Sequence, residues 1–185
     1  MNRFEDLRIL WVAIALLSSA CERMKPESIG IASYPEIDLL LSSQTSRLQS
    51  RDLDKQVWLD GKNESKQLQM DSLSWATELS FLKEINPNQP EYVGAFDKEE
   101  SEDLIVLILG EKESGSLNSF SFTSEKGGIT SIKATIHEDK DVYVHHRDIN
   151  LTLTEGSISR YQIDGYQKIM LKDTIRFRIL GSIVD

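Results

Sequence analysis

The chain has 185 residues and a mass of 21.0 kDa, which suits one domain with a small appendage. Hydrophobic residues make up 39% and charged residues 28%, so the composition can fill a core and is not that of a disordered chain. A formal charge of -9 argues against non-specific nucleic-acid binding, which needs a basic face, and one cysteine excludes both an intramolecular disulfide and a cysteine-based zinc site.

Residues 1–21 differ from the rest. Arg3 and Arg8 share a short polar start with Glu5 and Asp6, and nine apolar residues follow in a row, Ile9 to Leu17. At about 1.5 Å per helical residue this run spans roughly half of a bilayer core. It is too short for a transmembrane helix and has the length of a signal-peptide apolar region. Ser18, Ser19 and Ala20 then lead to Cys21, the only cysteine. This combination resembles the signal of a bacterial membrane lipoprotein. The resemblance implies cleavage after Ala20 and lipidation of Cys21. It divides the chain into a signal peptide over 1–20, a lipidated tether over 21–33 and a single domain over 34–185. An unpaired thiol is unusual in an oxidising compartment, and lipidation accounts for it. Residues 1–20 carry two positive and two negative side chains, so the mature side-chain charge stays at -9. Such a domain is repelled by anionic headgroups, and the lipid is what would hold it to the membrane.

Within the domain, Pro35 suits the first turn of a helix over about 35–50. Ile37, Leu40, Leu41, Gln44 and Leu48 form its buried stripe. Asp60-Gly61 marks a hairpin turn after Val57 and Leu59, with a return strand near Lys66–Met70. Asp71 or Ser72 can cap a second helix whose core stripe is Trp75, Leu79 and Leu82, ended by Pro87 and Pro90.

From Glu91 onward the pattern turns to strands. Tyr92–Phe96 is one candidate, Lys98–Asp103 reads as an exposed turn, and Leu104–Leu109, apolar on both faces, predicts a central strand covered on both sides. Leu117–Thr123, Ile132–Ile136, Val142–His146, Ile149–Leu153, Ile158–Asp164, Tyr166–Leu171 and Ile175–Ile179 follow, with Glu138–Asp141 as a turn. Strands at spacings of about 8–12 residues, with no helical period between them, exclude a parallel βαβ sheet. The expected class is α+β: two N-terminal helices packed on a twisted antiparallel sheet or partly closed barrel of seven to nine strands.

No catalytic motif stands out. His145 and His146 are strand neighbours, so they point to opposite faces and cannot chelate one ion. A turn at Asp139-Lys140 would set His137 near Val142, two to three positions from His145. The acidic runs Glu99–Asp103 and Glu138–Asp141 lack the ligand order of a calcium loop and read as solvated turns. No metal or cofactor is expected. Trp58, Phe120, Phe122, Tyr143, Tyr161 and Tyr166 lie in strand-like segments, where aromatics either pack on neighbours or line a cleft. Arg160, Lys168, Arg176 and Arg178 bring positive charge to the last strands. Asn63-Glu64-Ser65 and Asn150-Leu151-Thr152 match glycosylation sequons, expected to be chance in a bacterial lipoprotein.

The expected role is a non-enzymatic interaction module, lipid-anchored in the cell envelope and facing the periplasm or cell surface. Its partners would be the membrane through the anchor and an envelope protein or apolar ligand. A lipid or apolar-ligand carrier on a half-barrel is one alternative, and an open apolar concave face would favour it. A core filled by Trp75, Leu79 and the strand side chains would favour the interaction module. An envelope hydrolase is the other alternative, and it requires a nucleophile–base contact in a cleft.

Overall fold

The structure is a computed structural model that describes residues 34–184, so the signal peptide, the tether, Ala20 and Cys21 lie outside the described residues. The first element is α1 (Ile37–Arg47), with Ile37, Leu41 and Gln44 buried along the expected stripe. The hairpin of β1 (Asp52–Leu59) and β2 (Lys62–Gln69) comes next. It closes through Asp60 and Gly61, at φ +47° and +80°. Two consecutive positive φ values make the tight turn whose twist matches antiparallel strands. Lys126-Gly127 and Glu155-Gly156 close two later hairpins in the same way.

Asp71 caps α2 (Ser72–Glu78), its carboxylate accepting from the Ser74 backbone N–H at 2.7 Å. The chain then tightens into a 3-10 turn over Leu79–Ile85. Leu79, Leu82 and Ile85 recur every third residue and are each fully buried, the spacing that aligns side chains on a three-residue turn. The expectation of two N-terminal helices is therefore not met. Among the described residues only α1 precedes the sheet, and the second helical segment follows the first hairpin and holds seven α-helical residues.

After a short 3-10 turn (Pro90–Tyr92) come β3 (Phe96–Glu100), β4 (Leu104–Leu109), β5 (Leu117–Glu125), β6 (Gly128–Lys140), β7 (Tyr143–Thr154), β8 (Ser157–Ile169) and β9 (Ile175–Val184). All nine strands join one antiparallel sheet, in the order β2-β1-β9-β8-β7-β6-β5-β4-β3. The sheet is open, with β2 and β3 as its edges, so of the two expected forms it is the antiparallel sheet and not the partly closed barrel.

Four local expectations differ from the structure. Lys98, Glu99 and Glu100, read as part of a turn, belong to β3, and the chain turns only over 101–103. Tyr92 belongs to the 3-10 turn, and its strand starts only at Phe96. Its hydroxyl is committed elsewhere, accepting from the Leu117 backbone N–H at 3.0 Å. β4 is not central but next to the β3 edge, and only Leu107 of its six residues is buried. Glu138, Asp139 and Lys140 continue β6, and the chain turns at Asp141-Val142 instead.

The core lies on one face of the sheet. Trp75, Leu79 and Leu82 from the helical segments meet Leu53, Phe120, Ile132 and Tyr161 from the strands. Gln44 sits fully buried among these apolar groups. Its Nε2 donates to the Gly156 carbonyl at 2.9 Å, and its Oε1 accepts from the Ile158 N–H at 2.8 Å. It thus occupies a stripe position by satisfying two backbone groups of the β7–β8 turn. Gly181 has another duty. A Cβ there would lie 2.1 Å from Cε1 of the buried Tyr161 ring. Gly181→Ala is therefore expected to cost about 1–3 kcal/mol through forced displacement of the ring, read as a lowered denaturation midpoint.

Candidate functional site

Among the described residues, no helix lies on the opposite face of the sheet. Its side chains come from every second residue of the strands, so antiparallel register lines them up in rows across the sheet. One row runs Trp58, Arg178, Asp164, Asp148, Thr135 and Ser119, from β1 through β9, β8, β7 and β6 to β5. The next row is Arg176, Tyr166, His146 and His137. On the other side run Gln56, Leu180, Gln162, Asn150, Lys133 and Ser121.

Two hollows open on this face. One of about 610 Å³ lies over β1 and β7–β9, walled by Trp58, His146, Tyr166 and Arg176. One of about 500 Å³ lies over β5–β8 and includes Ser119, Ser121, Lys133 and Thr135. Asp148, Asp164 and Arg178 line both, so the two hollows adjoin and together make a trough on this face.

The trough is held in shape by its own polar contacts. Asp148 Oδ1 accepts from Thr135 Oγ1 at 2.8 Å, and its Oδ2 lies 3.1 Å from His146 Nε2. Asp164 accepts from Gln162 Nε2 and from Arg178 Nε. The Tyr166 ring stacks on His146 with centroids 5.3 Å apart, and the Arg176 guanidinium lies 5.7 Å from the Tyr166 centroid. His137 stands edge-on to His146 at 5.7 Å.

Partial burial acts to raise the Asp164 pKa, but the hydrogen bonds from Gln162 and Arg178 and the Arg178 charge outweigh it and hold the carboxyl below its usual 3.8. A depressed carboxylate pKa gives stability that is present above the unfolded value and lost as pH falls through the folded one. The acid side of the stability–pH curve, below about pH 4, is thus expected to flatten in Asp164→Asn. Denaturant titrations at a series of acidic pH values measure this slope.

A second polar cluster lies between the helical layer and the sheet. Lys55 Nζ reaches both carboxylate oxygens of Glu78 at 2.6 and 2.8 Å, and the Tyr161 hydroxyl donates to the same carboxylate. Burial first, and then the Glu78 hydrogen bond, push the Tyr161 pKa above its ordinary value, so the phenol stays protonated. Arg147 pairs with Glu84 beside them. His145 lies on this side too, and burial followed by the Arg147 charge lower its pKa against the opposing pull of Glu138 and Glu84. These pairs join α2 and the 3-10 turn to the strands, so their charges are committed to the fold. Those of the open face are presented outward.

His145 and His146 do point to opposite faces. His137, however, pairs directly with His146, because β6 runs to Lys140 before turning. Among the described residues, no cluster of three or more histidine, cysteine or acidic side chains can hold a metal ion. Of the aromatic and basic residues singled out in the sequence, Trp58, Tyr166, Arg176 and Arg178 meet in the trough. Tyr161 and Phe120 are core, and Tyr143 donates to Glu138 at 2.7 Å on the helical side. Asp148, Asp164, Gln162 and Thr135 carry no motif, although their alternation with Ile149, Ile163, Ala134 and Ile136 places them on one face, and Asn150, noted only in a sequon, joins them there. No helix among the described residues is long and apolar enough to cross a membrane. Comparison with protein-family models, with curated proteins and with solved structures returns no match.

Proposed function

We propose that the chain is a lipid-anchored, non-enzymatic interaction module of the cell envelope whose open sheet face is the binding surface. The observation that carries this reading is the asymmetry of the sheet. One face is filled by Trp75, Leu79 and Leu82, while the other is, among the described residues, an uncovered trough of polar and aromatic side chains. A rigid sheet presenting fixed polar groups suits recognition, since little conformational entropy is lost on binding. The same asymmetry weighs against the carrier, which needs an open apolar face. The hydrolase reading lacks its key contact: among the described residues, no serine or threonine hydroxyl is hydrogen-bonded to a histidine nitrogen. The anchor rests on the small-residue run ending at Cys21.

Native mass spectrometry of the protein purified from its own membranes tests both parts. The expected species begins at Cys21, carries acyl mass and holds no further lipid. A chain beginning at Met1 would overturn the anchor. Stoichiometric non-covalent lipid would overturn the interaction module in favour of the carrier.

A further inference from the structure

Resting on that reading, the charge balance of the trough identifies the chemistry of its ligand. The chain as a whole is strongly acidic, at -9. The trough is not. Its carboxylates Asp60, Asp148 and Asp164 are matched by Lys133, Arg176 and Arg178, giving a formal charge of zero with His146 neutral. The groups in its middle are also engaged with one another: Arg178 is paired with Asp164, and Asp148 is hydrogen-bonded by Thr135 and lies against His146. At the centre of the trough an anionic ligand would have to break the Arg178–Asp164 pair and a cationic one would have to compete with Arg178 for the same carboxylate, while Lys133 and Arg176 stand to either side with a charge that the net balance offsets. A neutral hydroxyl does neither. Each carboxylate oxygen has a second lone pair beyond the bond it already accepts, and a hydroxyl both donates and accepts.

The neighbouring groups on the open face fit the same ligand. Gln162, Asn150 and Gln56 put further amides beside the central row. Trp58 lies at the β1 end of that row, half-buried, and among the described residues no ring or cation is stacked on its indole. Tyr166, by contrast, is already flanked by His146 and Arg176. From β1 to β5 the trough crosses six strands in the order of the sheet. At about 4.8 Å per strand spacing this is roughly 24 Å, long enough for an extended chain of several ring units.

We propose that the trough binds a neutral oligosaccharide laid across the strands, with a sugar ring against Trp58 and hydroxyls on Asp164, Asp148 and Gln162. The apolar C–H face of a sugar ring complements the indole, and its rim of hydroxyls complements the row of donors and acceptors.

The test applies the purified full-length protein to an array of immobilised neutral and anionic glycans, followed by titration of the best neutral binder by calorimetry. Binding to neutral members is expected, with affinity nearly unchanged from low salt to about 0.5 M, where screening is strong. Trp58→Ala is expected to weaken it by about tenfold, the loss of one aromatic contact plus its burial. Gln162→Ala, a smaller change on the open face, should weaken it as well and guards against a folding defect in the first variant. Leu73→Ala, on the exposed side of α2, should leave affinity unchanged. Binding to no neutral glycan, binding only to anionic glycans with steep salt dependence, or unaltered affinity in both trough variants would each overturn the saccharide. A blank array together with open-face crosslinks to a protein would defeat this inference alone and leave the interaction module standing.

Discussion

Trp75→Ala is expected to destabilise the domain by about 3–5 kcal/mol, the largest effect of any single truncation proposed for this fold. Trp75 is fully buried where α2 meets the sheet, and its neighbours Leu79 and Leu82 are sealed with it. They are fixed to the same short helical segment and cannot collapse far into the space left behind. The expected fall in melting temperature is roughly 6–20 °C for a domain of this size. Trp75→Phe separates packing from polarity. The indole Nε1 is buried without a hydrogen-bond partner. Phenylalanine removes that unmet donor while keeping much of the volume, so it is expected to cost less than half as much. Equal losses in the two variants, measured by chemical denaturation, would contradict this account of the site.

The second large effect is expected at Gln44. Gln44→Leu keeps the shape of the side chain but leaves the Gly156 carbonyl and the Ile158 N–H facing an apolar group. Each such orphaned buried backbone group costs about 1–3 kcal/mol, so the substitution should lose roughly 2–6 kcal/mol although it makes the stripe more hydrophobic. The sign discriminates between accounts. If Gln44 were merely tolerated in the stripe, leucine would be neutral or stabilising. Hydrogen exchange at Ile158 should rise selectively in the variant.

Elements set by local chemistry were legible in the sequence. The stripe of α1, the Asp60-Gly61 turn and the Asp71 cap each depend on residues a few positions apart. Errors arose where a decision depended on distant neighbours. Leu104–Leu109 has the composition of a strand covered on both faces, yet it lies beside the β3 edge and is covered on one. Nothing within those six residues encodes what packs on them. The run Glu138–Asp141 has turn composition, but its partner β7 is long enough to extend the ladder, and that extension sets His137 opposite His146.

The trough was legible only in part for the same reason. Alternation on β7 and β8 marks Asp148 and Asp164 as belonging to one face. The pairing of β1 with β9 is what brings Trp58 against Arg178, across a sequence separation that no local pattern reports. Register between such distant strands is fixed by burial of the opposite face, where Val57 and Ile179 meet. The site is therefore a product of the core: the side chains that fill one face determine which polar groups stand together on the other.

The central claim is that the open face does the binding. Site-specific photocrosslinking in the membranes of producing cells tests it most directly, with a photoreactive side chain at Gln56 or Lys133 on the open face and at Leu73 or Thr77 on the exposed side of α2. The account predicts adducts of defined mass, protein or glycan, from Gln56 and Lys133 and none from Leu73 and Thr77. Adducts confined to the α2 positions, or equal from both faces, would contradict it.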